Sequence, residues 1–403
     1  MKNILIVTSK YYPVRHIAVN RIMAFSKYFI EAGYAVTVIT KGDKDAKDII
    51  DGANVYYIKD RGILHRANTQ KKDNIVYHYI KCAWNKVYMS MFIDEERSWV
   101  DSVLENLESI VELKKFNYVL SSAPPISAHR IAREIKKRVP KIKWIIDMRD
   151  AMWSSNYPLR TRDKLVKFVR LISREGDILL SVSKPQLEKY KEITNNKLQY
   201  LEVRNGYDFD ADNKDSGKRN QKFTIIFAGN FYANLNPKNF FKGLELFISN
   251  YKNIEISVEI IGNNAPINIP SSIGEYVITR NAMSYLDVIN YLKTKADLLL
   301  VIIPRARERG IYSGKLFDYI GVGKPIIGLV PTDDVAAELI NSTGIGYVTT
   351  NEDVEGIYEA LKKSYDDWCN NKVMIADKNV IRDSHRSVQV KKLIDFIEVY
   401  EEC

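Results

Sequence analysis

Short apolar runs alternate with stretches of helical period along almost the whole chain. At 4–8 the run Ile4-Leu5-Ile6-Val7-Thr8 has hardly a polar interruption, which fits a strand buried on both faces of a parallel sheet. Residues 18–32 then carry Ile22, Phe25, Phe29 and Ala32 on one helical face, and Gly33 closes the helix. A second strand is predicted at 36–40. Further strands follow at 55–58, 118–121, 144–146 and 178–182, with helices between them such as 126–138.

Residues 205–222 break the pattern: they are polar, contain Gly206 and Gly217, and have no apolar period. Beyond them the same alternation restarts. Strands are predicted at 224–228, 256–261, 276–279, 298–303, 325–329 and 346–348, helices at 239–249, 284–293, 315–322 and 335–341, and a closing helix at 388–400. The expectation is an α/β protein of two Rossmann-like domains facing each other across a cleft. The first spans 1–204, the linker 205–222 and the second 223–382, with a C-terminal helix in 383–403 packing back on the first domain.

Composition narrows this reading. A chain of 403 residues, 46% hydrophobic and 27% charged, is globular and long enough for two cores. It contains no apolar window of 18 residues, and its first apolar run is too short for a signal-peptide core, so a cytoplasmic protein is expected. Cys82, Cys369 and Cys403 and the five histidines show no ligand or redox spacing, so neither metal nor cofactor is expected. The net charge of +10 favours anionic partners, but no nucleic-acid module leaves a signature, and nucleic acid is not expected. Basic residues Arg160, Lys164, Lys167, Arg170 and Arg174 recur at near-helical spacing around Leu165, Val169 and Ile172, and 77–92 mixes lysines with aromatics. Both patterns suit peripheral contact with an anionic membrane, or amphipathic packing within the domain.

The segment most informative about chemistry runs Gly310-Ile311-Tyr312-Ser313-Gly314-Lys315-Leu316-Phe317-Asp318-Tyr319-Ile320-Gly321-Val322-Gly323-Lys324-Pro325. A strand leads into a glycine-containing loop, and a helix opens at Gly314 or Lys315. Free amides at a helix start bind anions such as a diphosphate, and small residues allow close approach. Lys315 adds a cation, and Asp318, one turn on, could accept hydrogen bonds from a ribose diol. An ordinary βαβ turn with capping glycines is the competing reading. Neither GxxxxGK[ST] nor a GxGxxG after the first strand is present, which argues against a Walker loop and a dinucleotide oxidoreductase.

This stretch resembles the G-x-x-x-G-K-L-F-E-Y-L-A-A-G-x-P-I signature of glycosyltransferase family 4 and its relatives. Tyr11-Tyr12-Pro13 through Arg21, with Gly33-Tyr34 and Val36-Thr37-Val38, resembles that family's opening. Ser121-Ser122-Ala123-Pro124-Pro125-Ile126-Ser127-Ala128-His129 is similar to the SSPPxSxH of one branch, and Asp147-Met148-Arg149-Asp150-Ala151-Met152-Trp153 to its DFRDPW. Val182-Ser183, Arg204-Asn205-Gly206-Tyr207-Asp208 and Phe227-Ala228-Gly229-Asn230 match further landmarks, in family order. The resemblance implies a GT-B fold, a nucleoside-diphosphate-sugar donor on the C-terminal domain, an acceptor on the N-terminal one, retention of configuration and no essential metal. Asp318 takes the place of the second glutamate of the family's E-x7-E motif, while Gly310 stands where the first would be and Glu308 is two residues out of register.

The expected donor-binding set is Gly229, Asn230, Lys238, Arg305, Tyr312, Ser313, Gly314, Lys315 and Asp318, with Arg307 an alternative phosphate clamp. Arg15, Arg21 and Arg149 are expected on the phosphate or acceptor side of the first domain, and Asp150 and His129 as the catalytic pair. The implied reaction moves a sugar from a UDP-sugar or its analogue to a glycan or lipid-linked acceptor in surface polysaccharide assembly. Alternatives are a non-catalytic GT-B protein that binds nucleotide or glycan, and a nucleotide-sugar 2-epimerase.

Overall fold

The computed structural model describes residues 2–14, 17–62, 93–94, 96–211, 220–231, 235–251, 254–262 and 266–402. Arg15 and the 77–92 segment lie outside them. The chain forms two compact units, Met1–Arg204 with Gln389–Cys403, and Asn205–Val388.

In the first unit, strands β1 (Asn3–Val7), β2 (Ala35–Gly42), β3 (Ala46–Ile50), β4 (Ala53–Lys59), β5 (Tyr118–Ala123), β6 (Lys143–Met148), β7 (Ile178–Ser181) and β8 (Gln199–Glu202) form one sheet. Its order is β3-β4-β2-β1-β5-β6-β7-β8, parallel except for the β3–β4 pair. Helices α1 (Ile17–Glu31), α2 (Arg97–Ile110), α3 (Ser127–Arg138), α4 (Leu159–Ile172) and α5 (Lys184–Thr194) accompany it. The apolar β1 run divides by pleat: Leu5 and Val7 enter one core with Trp144 and Val169, Ile4 and Ile6 the other with Phe25 and Phe29.

The second unit has strands β9 (Phe223–Ala228), β10 (Ile256–Ile261), β11 (Val277–Arg280), β12 (Leu298–Ile302), β13 (Ile326–Leu329) and β14 (Gly346–Thr349). All ladders are parallel, in the order β11-β10-β9-β12-β13-β14. The chain therefore winds outward from β9 in both directions, and the β9–β12 junction is the place where a ligand crevice opens in such sheets. Helices α6 (Lys238–Asn250), α7 (Tyr285–Lys295), α8 (Gly314–Val322), α9 (Val335–Ser342), α10 (Val354–Cys369) and α11 (Lys378–Asp383) complete the unit. The last helix, α12 (Arg386–Glu402), starts there and continues into the first unit, where Val390, Leu393, Ile394 and Ile397 join the Ile4–Phe29 core.

The expected linker differs at its start. Residues 205–211 belong to the second unit, because Tyr207 is buried, its amide donates to Ser384 O at 3.2 Å, and the Arg386 amide donates back to Tyr207 O at 2.9 Å. Its ring lies so close to Gly321 of α8 that a Cβ there would come within 2.5 Å. Among the described residues no helix is long and apolar enough to cross a membrane.

Candidate functional site

The site is built by α8. Leu316, Phe317 and Ile320 are buried in the second unit's core, which turns Lys315, Asp318 and Tyr319 to one side at helical spacing. Gly323 ends the helix in the left-handed conformation, φ 73°, its amide bonded to Tyr319 O and Ile320 O. At the other end the Leu316 amide donates to Ser313 O at 3.1 Å, Ser313 makes no side-chain cap, and among the described residues the Gly314 and Lys315 amides have no acceptor. Those two N–H groups leave the helix start open to an anion.

Tyr319, fully buried, fixes the helix to the sheet by accepting the Ala228 amide at 3.0 Å, at the last residue of β9. Gly229 follows with φ 129°, a conformation open to glycine. The Lys315 side chain lies across it, so that a Cβ at Gly229 would stand 2.3 Å from Cε and 2.5 Å from Nζ. The ammonium sits 4.3 Å from the centroid of the Phe227 ring, itself stacked on Phe231 at 4.2 Å. Burial lowers the Lys315 pKa to about 8. No carboxylate pairs with it among the described residues.

Beside these groups is a cavity of about 320 Å³. Ala228, Gly229, Ile261 and Gly262 form its sheet side at the carboxyl ends of β9 and β10, α7 walls it with Val288, Ile289 and Leu292, and Tyr285, Lys315 and Asp318 supply the polar groups. Burial raises the Asp318 carboxyl to about 6, against the hydrogen bond from the Tyr285 hydroxyl at 2.7 Å and the Arg386 charge, which lower it. One cavity thus holds a cation with no carboxylate partner among the described residues and a carboxylate one helical turn on, with apolar walls around them. That arrangement suits a ligand with an anionic end, a hydroxylated middle and a flat apolar part.

The sequence-expected residues divide accordingly. Gly229, Ser313, Gly314, Lys315 and Asp318 are brought together around this cavity and the start of α8. Tyr312 packs its ring 5.2 Å from Phe317 just ahead of them. Asn230 is exposed one residue past Gly229, and Lys238 is exposed at the start of α6. Arg305 is exposed just past β12, where its guanidinium pairs with Asp333 at 2.8 Å, a surface contact of small strength. Gly310 is buried, with its amide on Asp334 Oδ1 at 2.8 Å, and presents no carboxylate.

In the first unit Arg21 is corrected. It is interior, pairing with Asp147 through NH2 to Oδ1 at 2.7 Å and Nε to Oδ2 at 3.1 Å, and its NH1 donates to Arg204 O at 3.3 Å. Burial pushes the Asp147 carboxyl up, but Arg21 and the Ser122 hydroxyl at 2.6 Å outweigh it and hold the pKa below the usual carboxylate value. His129 is also corrected: it is fully buried, with Nδ1 2.7 Å from Ser121 Oγ, which also accepts Trp144 Nε1 at 2.7 Å. Burial lowers its pKa to about 3, so the imidazole is neutral, with Nε2 buried and lacking a hydrogen-bond partner among the described residues. Arg149 donates to the carbonyls of Ala123 and Pro124 and braces the turn after β5. Asp150 alone of this group is exposed, at the carboxyl end of β6. Among the described residues no three His, Cys, Asp or Glu side chains cluster as metal ligands do.

Sequence reasoning missed Tyr285, Tyr319 and Phe227. Ser284, whose hydroxyl accepts the Asp287 amide, announces the start of α7, but nothing local shows that Tyr285 reaches α8.

No family model matches the chain, and no curated protein matches it in sequence. Solved structures do. Sucrose-phosphate synthase from Thermosynechococcus elongatus superposes with a TM-score of 0.64 at 10% identity, covering 100% of both chains. An alpha,alpha-trehalose-phosphate synthase (UDP-forming) from Burkholderia xenovorans, in complex with glucose-6-phosphate, gives 0.62 at 11% identity over 99% of this chain and 100% of its own. Anabaena HepE in complex with UDP-glucose gives 0.62 at 9% identity, with the same coverage. Two parallel, doubly wound sheets in this order, matched over the full length of such enzymes, identify the chain's architecture as the GT-B fold.

Proposed function

We propose that the chain is a retaining glycosyltransferase that moves a sugar from a nucleoside-diphosphate donor, a UDP-sugar first among them, to a glycan or lipid-linked acceptor in surface polysaccharide assembly. The observation that carries this reading is the cavity at the β9 edge, with Asp318 at one end and, at the other, Lys315 and the α8 amides, which have no acceptor or carboxylate partner among the described residues. In this reading the diphosphate lies against Lys315 and the Gly314 and Lys315 amides, the ribose meets Asp318, and the base rests on the apolar wall. UDP-glucose in HepE and the UDP-forming synthase, which share the fold, support a uridine donor.

Chemically, the bond from the sugar's anomeric carbon to the diphosphate oxygen breaks as the acceptor oxygen bonds to that carbon on the same face. The departing oxygen lies beside the acceptor hydroxyl and takes its proton. Fixed amides and a desolvated ammonium stabilise the charge that grows on the diphosphate, a task that asks for no metal or other cofactor. Asp150 is the exposed carboxylate assigned to orienting the acceptor. His129 has no direct part.

The test is release of UDP or GDP from a panel of nucleotide sugars with glycan acceptors. Sugar transfer by the protein, abolished in Asp318→Ala, is the expected result. Nucleotide binding with no turnover on any donor would favour a second reading, a non-catalytic binding protein, for which buried Gly310 in place of a carboxylate speaks.

Peripheral attachment to the inner face of the plasma membrane belongs to the same proposal. On α4 the apolar residues Leu165, Val169 and Ile172 are taken by the core, so this helix offers a lipid surface charge rather than an apolar stripe. Arg160, Lys164, Lys167, Arg170 and Arg174 are exposed, with Leu159 62% exposed at the helix start. Each well-placed cation adds roughly 1 kcal/mol at an anionic surface. Flotation with anionic but not neutral vesicles, lost at high salt, is expected; no flotation at low salt would end the membrane reading.

A further inference from the structure

Tyr285 opens α7, ring partly exposed at the rim of the cavity, and its hydroxyl reaches Asp318 Oδ1 on α8. The direction of that bond is fixed by chemistry. Burial, the Asp318 charge and the hydrogen bond itself all push the phenol pKa up, so Tyr285 keeps its proton and donates, and the carboxylate accepts. Two consequences follow. One oxygen of Asp318 is already engaged, which leaves Oδ2 as its principal free acceptor. The Tyr285 oxygen has given its only hydrogen away and retains lone pairs facing the same cavity. The pair therefore presents two acceptors side by side across α7 and α8, the Tyr285 oxygen and Asp318 Oδ2, tied together by the 2.7 Å bond from the phenol to Oδ1 of the same carboxylate.

We propose that Tyr285 is a specificity-determining residue that reads one ribose hydroxyl while Asp318 reads the other. The inference rests on the nucleotide reading of the cavity and adds to it a second contact, from a residue 33 positions away in sequence. It also accounts for how an aspartate can serve here: the phenol supplies the acceptor that a single short carboxylate, half engaged, does not. A site that binds both hydroxyls discriminates against ligands lacking either one, because the missing donor forfeits a hydrogen bond that the bound ligand would otherwise make. The hydroxyl on the carboxylate contributes more than the one on the phenol. Typical values for charged and neutral hydrogen bonds translate to about thirtyfold and about fivefold in affinity.

The experiment measures calorimetric affinities of UDP, 2′-deoxy-UDP and 3′-deoxy-UDP, with the guanosine series alongside, for the full chain and its Tyr285→Phe and Asp318→Asn variants. The wild type is expected to show two unequal deoxy penalties. Tyr285→Phe, which keeps the ring, should erase the smaller one and leave the larger, and Asp318→Asn should reduce the larger. Both penalties unchanged in Tyr285→Phe would overturn the assignment while leaving nucleotide binding intact. Loss of both at once would overturn it too, because Tyr285 would then only be positioning Asp318. A wild type that binds neither nucleoside diphosphate would instead bring down the nucleotide reading on which the inference rests.

Discussion

Lys315 should make nucleotide binding depend on pH in a way set by its burial. The ammonium rests on the Phe227 ring, with no carboxylate partner among the described residues, and burial alone brings its pKa to about 8. A diphosphate beside it favours the charged form, so the complex holds the proton to higher pH than the free protein. The ligand's terminal phosphate has lost its last proton by about pH 7, its second pKa being about 6. With a free-protein pKa of about 8 and the proton retained in the complex, linkage gives a fall in affinity of about tenfold from about pH 7 to about pH 9. At about pH 8, binding should take up about half a proton, visible as a dependence of the calorimetric heat on the buffer's ionisation enthalpy. Lys315→Met should bind more weakly at neutral pH and lose both the slope and the proton uptake. A flat profile in the wild type, or the same slope in Lys315→Met, would refute the placement of an anion against this residue.

Gly229→Ala combines an unfavourable φ of 129° with a Cβ 2.3 Å from Lys315, so the lysine must move off the cavity floor; nucleotide affinity should fall at least about tenfold with the fold retained by circular dichroism. Asp318 has a folded pKa of about 6 against 3.8 when exposed. Its contribution to stability is therefore full at low pH and lost as pH rises through about 6. Asp318→Asn should raise the unliganded protein's denaturation free energy at neutral pH by about 2 kcal/mol while weakening nucleotide binding, and an unchanged or lower stability would contradict the burial argument. Asp147→Asn should strand the buried Arg21 guanidinium and destabilise the first unit by about 3–5 kcal/mol in urea titration, with a loss under about 1 kcal/mol counting against the interior ion pair.

The parts of this architecture written locally were the legible ones. Glycines at both ends of α8, a strand before it and a proline after it mark the helix to within a residue, 315–322 against Gly314–Val322. Inner strands such as β1, β12 and β13 are apolar runs because both faces are covered. β3 escaped notice because Ala46, Lys47, Asp48 and Ile49 are all exposed, so neither burial nor alternation shapes the sequence of this edge strand. At the site, the residue types were legible and their surroundings were not. Arg21 and Asp147 are 126 positions apart, and only folding turns a candidate phosphate ligand into an interior ion pair. His129 has a helix-start sequence like many surface histidines, yet Ser121 and Trp144 enclose it. Tyr285 and Asp318 likewise meet through the packing of α7 on α8, which no spacing rule encodes.

The return of α12 to the first unit has a consequence for synthesis. That unit's second core uses Ile4 and Ile6 from β1, and Leu393 and Ile397 from residues made nearly four hundred positions later. The intervening Asn205–Val388 segment is continuous and has its own sheet and cores, so it can fold as soon as it leaves the ribosome. The unit begun first is thus completed after the other, and the part of its second core that α12 fills, beside the part α1 already covers, stays open while the intervening segment is made.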